Sequence, residues 1–183
     1  HSSGGGKSVS DAAKLLSEAK NPVILNGAGV VLSKDGISAS MKLAERLDAP
    51  VCVGYQHNDA FPGNHPLFAG PLGYNGSKAA MQLIKEADVV LCLGTRLNPF
   101  STLPGYGLEY WPSEAKIIQV DINPDRIGLT KKVSIGIVGD AGKVATDIFS
   151  QLSETAGDIN RETRKVNIAA VSYTHLRAHE TKR

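Results

Sequence analysis

Glycines and an arginine follow short apolar runs in this sequence, and residues of these types could bind a phosphate group. Gly27 and Gly29 follow one such run, and Thr95 and Arg96 follow another. The backbone amides of a Gly-x-Gly turn let a phosphate approach closely, and a guanidinium pairs with phosphate oxygens. The glycines could instead serve only a tight turn, and Arg96 could instead form a structural ion pair.

A second group of residues with the same potential lies further along the chain. Gly73 and Gly76 precede Ser77 at the start of a predicted helix, where amides and a hydroxyl could hold an anion. A tight turn with Ser77 as the N-cap residue is the alternative. Asp121 follows a predicted strand and could accept a hydrogen bond from a ribose hydroxyl, although we favour a capping role.

No motif for catalysis or for a nicotinamide cofactor accompanies these residues. A full dinucleotide pattern would place a third glycine at position 32, which is Leu32. The second predicted strand ends in Gly54-Tyr55, without the acidic residue that binds a ribose. His57 and His65 lie in a loop with no nucleophile nearby in sequence, and we expect them to be surface residues.

The elements that position these residues alternate between amphipathic helices and short buried strands. Apolar residues at helical spacing predict helices that cover 11–20, 40–47, 80–87 and 141–148. Continuous apolar runs predict strands at 23–25, 51–54, 89–94, 116–121 and 134–138. This alternation predicts an α/β fold, a Rossmann-like doubly wound parallel sheet of five or six strands with helices on both faces.

Two long loops, 55–76 and 98–113, interrupt the alternation. Loops of this length in a compact domain are usually functional or interfacial. The second loop is rich in aromatic residues, and we expect Tyr106, Tyr110 and Trp111 to contact another domain or subunit.

Composition excludes several classes of protein. The chain has 20 Lys and Arg against 18 Asp and Glu, and residues 171–183 carry the whole excess, so no nucleic-acid face is expected. No apolar run is long enough to span a membrane. Cys52 and Cys92 lie in apolar runs and are predicted to be buried free thiols, which favours a cytoplasmic location. His175 and His179 lack a third metal ligand.

The chain is expected to be a fragment with one main domain. Residues 1–7 are polar and glycine-rich and are predicted to be a linker, and residues 8–152 are predicted to be the domain. Residues 153–170 are predicted to be a linker or the start of a further domain. Residues 171–183 show no amphipathic pattern, and we interpret them as a non-native tail.

The same segments carry a family resemblance. In order, they read NPVILNGAGVV, LDAPV, GPLGYNGSKAA, ADVVLCLGTRLNPF, KIIQVDINPDRIG and VGD. This series resembles the central domain of thiamine-diphosphate-dependent enzymes. The resemblance implies a three-domain parent whose outer domains bind thiamine diphosphate and Mg²⁺, so this fragment would have no catalytic residue and would be inactive alone. Gly139-Asp140-Ala141 departs from the Gly-Asp-Gly that binds Mg²⁺ in the family.

The resemblance also implies a nucleotide cleft and a homo-oligomeric parent, a dimer or a tetramer. Relatives that bind FAD or ADP hold it on this domain. The matching cofactor-binding positions in this sequence are Gly27, Gly29, Gly73, Gly76, Thr95, Arg96 and Asp121.

Within the group, the two long loops resemble those of the sulfoacetaldehyde acetyltransferase branch. Acetolactate synthases usually have Met-His where this chain has Tyr74-Asn75, and acidic residues where it has Leu97-Asn98. The branch implies a parent that converts a small-molecule substrate, sulfoacetaldehyde, with phosphate into acetyl phosphate and sulfite, and that needs no FAD or ADP. The alternatives are an FAD-binding domain of an acetolactate synthase-like enzyme and a stand-alone nucleotide-binding module.

Overall fold

The computed structural model describes residues 5–154 and residue 156, and in this part of the chain it contains one parallel sheet. The six strands are β1 (Pro22–Asn26), β2 (Val51–Val53), β3 (Phe68–Pro71), β4 (Val89–Leu93), β5 (Lys116–Asp121) and β6 (Ile135–Val138). The five α-helices are α1 (Gly6–Glu18), α2 (Ala28–Leu32), α3 (Gly36–Leu47), α4 (Lys78–Lys85) and α5 (Ala141–Gln151). Three short 3-10 turns lie at Asn58–Ala60, Pro99–Ser101 and Pro124–Arg126.

The strand order is β3-β2-β1-β4-β5-β6, and every neighbouring pair is parallel. The first strand therefore lies at the centre, where Leu25 is paired with Cys52 on one side and with Cys92 on the other. The order reverses between β1 and β4, which is the switch point at which open α/β sheets bind ligands. The predicted fold class is confirmed.

Helices cover both faces of the sheet, as predicted. Ile24 and Leu91 point toward α1, α3 and α5 and belong to one apolar core. Leu25 and Cys92, one residue further along each strand, belong to a second core with α4. Successive side chains on a strand point to opposite faces, so strands covered on both faces are apolar throughout. This is why β1 and β4 are buried at every position.

Helix α1 begins earlier than the periodicity predicted. It includes Gly6 and Lys7, which were predicted to be linker, and Val9, which is 2% exposed. Val9 extends the buried face of Ala12 and Leu16 by one turn toward the amino terminus. Because the Val9 side chain packs in the core, the helix begins within the polar segment that precedes it.

Strand β3 was missed because it lies inside the predicted loop 55–76. Its sequence, Phe68-Ala69-Gly70-Pro71, contains two residues that are unfavourable in strands. The strand forms because it is at the edge of the sheet, where its register with β2 shifts between Val51 and Cys52. An edge strand tolerates proline because one side of it needs no partner.

Residues 171–183, predicted to be a non-native tail, lie outside the described residues, together with His175 and His179. So do residues 157–170 of the segment predicted to be a linker or a further domain. Among the residues that are described, no helix is both long enough and apolar enough to cross a membrane.

Candidate functional site

A cleft of about 210 Å³ opens at the carboxyl ends of the strands, at the switch point. It lies among the loops that follow four strands, β1, β2, β4 and β5. Its lining includes Gly27, Ala28, Tyr55, His57, Thr95, Arg96, Asn98, Ser101 and Arg126. Three predicted site residues, Gly27, Thr95 and Arg96, are thus brought together.

The glycines after β1 pack directly against the loop after β4. The Gly27 amide donates to the Leu93 carbonyl over 2.9 Å, and the Gly29 amide donates to the Gly94 carbonyl over 2.9 Å. A Cβ added to Gly29 would lie 2.6 Å from the Gly94 Cα. Both amides are therefore used within the protein. These glycines serve a close contact between two backbones, and Gly29 does not line the cleft.

Arg96 is held on a constrained backbone. The next residue, Leu97, has a φ of 54°, which is uncommon for a residue with a side chain. Its amide donates to the Thr95 Oγ1 over 3.1 Å, and its carbonyl accepts from the Thr130 Oγ1 over 2.8 Å. The Leu97 side chain is 1% exposed. Burial and these bonds fix the turn, while the Arg96 side chain is exposed toward the cleft and forms no ion pair among the described residues.

Gln119 joins the two loops that carry the cleft's arginines. It lies on β5 and is 1% exposed. Its Nε2 donates to the Thr95 carbonyl over 3.1 Å and to the Arg126 carbonyl over 3.2 Å, and its Oε1 accepts from the Gly128 amide over 2.9 Å. One buried amide thus satisfies three backbone groups and ties the loop after β5 to the loop after β4.

Two other predicted site residues, Gly73 and Gly76, lie outside the cleft lining. The Gly73 amide donates to the Tyr110 hydroxyl over 3.1 Å, and the Gly76 amide donates to the Gly73 carbonyl over 2.9 Å. Ser77 caps α4 by accepting from the Ala80 amide over 3.3 Å. These amides are already bonded within the protein, so the structure supports the tight-turn alternative with Ser77 as the cap.

Asp121 is also outside the cleft lining. It is 4% exposed, and its Oδ1 accepts from the Asn123 amide over 2.8 Å. The carboxylate stabilises the turn that leads into the 3-10 turn at Pro124–Arg126. The sequence favoured a capping role for Asp121, but the N-cap residue of this 3-10 turn is Asn123, whose Oδ1 accepts from the Asp125 amide over 3.0 Å.

The cleft lining includes two residues that were not predicted from the sequence to lie there, Arg126 and His57. Arg126 follows β5 by five residues, so the rule that ligands bind beyond the carboxyl ends of strands could have found it. His57 was expected at the surface, but it is half-buried at the cleft. His65 does not line the cleft. Its Nε2 lies 3.0 Å from the Glu45 Oε1.

The aromatic loop is partly internal. Tyr110 was expected to contact another domain, but it is 1% exposed and packs in the core with α4. Burial raises the pKa of Tyr110 to about 12, despite the Gly73 amide bond, which lowers it. Trp111 packs against the same core, with Lys131 over its ring at 5.1 Å. Of these three aromatic residues, Tyr106 is the most exposed, at 63%, and its contact with another domain or subunit stays a prediction.

The described residues do not fit a Mg²⁺ and diphosphate site. They contain no group of three His, Cys, Asp or Glu side chains that could hold a metal ion. Asp140, the acidic residue of Gly139-Asp140-Ala141, caps α5, where its Oδ1 accepts from the Lys143 amide and from the Ser33 hydroxyl over 3.0 and 2.7 Å. Its carboxylate is therefore engaged in capping the N-terminus of α5.

Comparison with known proteins identifies the family. Residues 9–148 match the family described as thiamine pyrophosphate enzyme, central domain. The chain belongs to this family. The crystal structure of benzoylformate decarboxylase from Polynucleobacter necessarius has the same fold, with a TM-score of 0.65 at 22% identity over 83% of this chain and 28% of that chain. The resemblance seen in the sequence motifs is thus confirmed.

Two groups of curated relatives differ in their similarity to this central domain. The sulfoacetaldehyde acetyltransferase of Roseovarius nubinhibens is 72% identical over 167 residues, which cover 91% of this chain and 28% of the relative. A chain from Methanocaldococcus jannaschii, named as a probable acetolactate synthase large subunit, is 41% identical over 145 residues, or 79% of this chain and 24% of the relative. The chain therefore spans about a quarter of the length of these relatives.

Proposed function

We propose that this chain is the central domain of a sulfoacetaldehyde acetyltransferase. The observation that carries the proposal is the 72% identity to a relative of that name, against 41% to the acetolactate synthase relative. The parent enzyme would convert sulfoacetaldehyde and phosphate into acetyl phosphate and sulfite. The carbon–sulfur bond breaks and sulfite leaves, while phosphate oxygen takes the acetyl group.

In this proposal the domain supplies structure rather than chemistry. Thiamine diphosphate supplies the carbanion chemistry of the family when it is bound. The described residues do not fit its diphosphate and Mg²⁺, so other domains of the parent enzyme would hold both. Asp140 instead fixes the start of α5, and the buried sheet provides a rigid body. The proposed partners are other domains of the same chain and further copies in a homo-oligomer, in the cytoplasm.

The test is an assay of the complete coding sequence. With sulfoacetaldehyde and phosphate as substrates, the full chain is expected to release sulfite and form acetyl phosphate in equal amounts. Pyruvate is the control substrate, and we expect no acetolactate from it. Acetolactate formation without sulfite release would overturn the proposal. Residues 1–183 alone are expected to release no sulfite.

We also propose that the residues at the positions that match a nucleotide site bind neither FAD nor ADP in the parent enzyme. Gly27, Thr95 and Arg96 remain the proposed contacts if a nucleotide does bind, since they line the cleft. Gly29, Gly73, Gly76 and Asp121 would act through backbone packing and turn formation. The purified full chain is expected to be colourless and to gain no thermal stability from FAD. A bound flavin that copurifies would favour the acetolactate synthase alternative.

A further inference from the structure

We propose that His65 is a pH switch that holds the first residues of β3 while its ring is neutral and releases them when the ring is protonated. The inference does not depend on the acetyltransferase proposal. The His65 side chain is 12% exposed, although the sequence led us to expect it at the surface. Its Nε2 lies 3.0 Å from the Glu45 Oε1, and its Nδ1 accepts from the Leu67 amide over 3.1 Å.

The two contacts of the His65 ring define one protonation state. The Leu67 amide is a donor, so the Nδ1 that accepts from it carries no proton. The Glu45 carboxylate is an acceptor, so the Nε2 that faces it carries one. Both contacts are therefore satisfied by the neutral ring with its proton on Nε2. The charged ring has a proton on each nitrogen, and the proton on Nδ1 would meet the Leu67 amide proton and exclude that bond.

The bond to Leu67 fixes the turn that leads into β3. In this turn, the Phe68 amide donates to the His65 carbonyl over 3.0 Å, and Pro66 occupies the second position, where proline is favoured. Asn and Asp at the first position usually accept from the amide two residues on. His65 makes the same bond with a group that titrates near neutral pH. The Leu67 carbonyl then accepts from the Val51 amide over 2.8 Å, which joins the edge strand to β2.

Protonation of the ring exchanges a buried hydrogen bond for an exposed attraction. Leu67 is 8% exposed, so water has little access to replace the acceptor that its amide would lose. Glu45 is 57% exposed, and exposed ion pairs contribute little to stability. Because Glu45 still faces the ring after the Leu67 amide has been released, it stabilises the charged ring in both arrangements. The charged ring therefore favours the released arrangement.

Glu45 on α3 is the charged group that faces His65. Among the residues that the structure describes, no other carboxylate lies within ion-pair distance of the ring. From the preceding loop, the Phe61 ring packs edge-on against it, with 5.0 Å between the centroids. From the start of β3, the Leu67 amide faces it. Neither of these two groups titrates, so the response to pH belongs to His65 and its pairing with Glu45.

An irregularity in the strand pairing limits the release to the first residues of β3. The register between β2 and β3 shifts directly after Val51, which separates this first pairing from those that follow. Beyond the shift, the Leu72 amide donates to the Val53 carbonyl over 2.9 Å, and this bond does not involve His65. Acid is therefore expected to weaken the bond between Val51 and Leu67 and to leave the far end of the strand in place.

The experiment measures hydrogen exchange of single amides by NMR in the 183-residue chain. The range runs from about pH 8 to about pH 5, which brackets ordinary histidine titration. Protection factors are compared, so that the intrinsic dependence of exchange on pH cancels. As the pH falls, protection of the Leu67 and Val51 amides is expected to drop about tenfold, as for the loss of one hydrogen bond. The Leu72 amide, and the Ser134 amide at the opposite edge of the sheet, are expected to keep their protection.

Three variants assign the response to the His65 ring. His65→Asn keeps an acceptor for the Leu67 amide that cannot be protonated, so protection is expected to persist over the whole pH range. His57→Asn is the matched control, because it removes a histidine that has no part in this turn, and it should keep the tenfold drop. Glu45→Gln removes the charge that favours the protonated ring, so the drop should move to lower pH.

Several outcomes would overturn the proposal. The nitrogen chemical shifts of the His65 ring report its tautomer, and a neutral ring with its proton on Nδ1 would contradict the switch. Protection of Leu67 that does not change with pH in the unaltered chain would also contradict it, as would a drop in His65→Asn equal to that of the unaltered chain. If His65→Asn does not fold, Glu45→Gln decides, because a drop at an unchanged pH would mean that another group titrates.

Discussion

At the residue scale, the contact between Gly29 and Gly94 makes the sharpest prediction. A Cβ at Gly29 would lie 2.6 Å from the Gly94 Cα, and the neighbour is backbone that cannot rotate away. Gly29→Ala is expected to lower the free energy of unfolding by about 1–3 kcal/mol, as for other overpacked positions. Denaturant titration measures the loss. Gly63→Ala, where a Cβ meets nothing within 4 Å, should change stability little, and an equal loss there would refute the steric explanation.

The two buried thiols predict how stability depends on pH. Burial raises the pKa of Cys52 from 9.0 to about 12 and raises the pKa of Cys92 as well. The folded chain thus keeps these protons to a higher pH than the unfolded chain does. Their contribution to stability is fully present below pH 9 and is lost as the pH rises from about 9 toward 12. Denaturant midpoints across that range measure the loss. A variant with Cys52→Ala and Cys92→Ala should lose less, and an identical slope would contradict the assignment.

At the scale of elements, the start of α4 depends on Ser77. Its Oγ accepts from the Ala80 amide, and its hydroxyl donates to the Ala69 carbonyl over 3.3 Å. Ser77→Ala is expected to lower the free energy of unfolding by about 1 kcal/mol, a typical cost for the loss of an N-cap. Ser77→Asp keeps an acceptor and should recover most of the loss in the same denaturation measurement. Failure of the aspartate to recover any of it would count against a capping role.

Elements were predictable where burial follows the local pattern of apolar residues. The strand at 116–121 was predicted with both ends correct, because its apolar residues Ile117, Ile118 and Val120 lie close together and Asn123-Pro124 follows soon after it. Strand β3 was not, because its pairing with β2 overrides the local preference of Gly70 and Pro71. Tyr110 was placed outward for a similar reason, since no local signal reveals that its hydroxyl meets the distant Gly73 amide.

The residues of the candidate site were predictable where they come directly after a strand in the sequence. Gly27, Thr95 and Arg96 come directly after β1 and β4, so their place at the cleft follows from the parallel sheet. The role of Gln119 could not be read from the sequence. It lies within a buried strand, and only the folded chain shows that its amide spans two loops.

At the scale of the whole molecule, one sheet couples the two cores. Leu43 lies in the core with α1, α3 and α5, and Trp111, the one tryptophan of the chain, packs on the other face. Leu43→Ala is expected to lower the free energy of unfolding by about 2–5 kcal/mol. The shift should be equal when unfolding is followed by tryptophan fluorescence and by circular dichroism, as for cooperative unfolding. If the fluorescence transition of Leu43→Ala stayed at the midpoint of the unaltered chain, the two faces of the sheet would unfold separately.

The first and last helices of the described chain lie side by side. The Ser10 hydroxyl donates to the Gln151 side-chain carbonyl over 2.6 Å, although 141 positions separate the two residues. A longer polypeptide that contained this unit would therefore enter and leave it at neighbouring points. The unit could be excised, exchanged or inserted into a loop of another protein without moving the host's flanking segments apart. For the same reason, new ends could be opened elsewhere and the old ones joined by a short peptide, as in circular permutation.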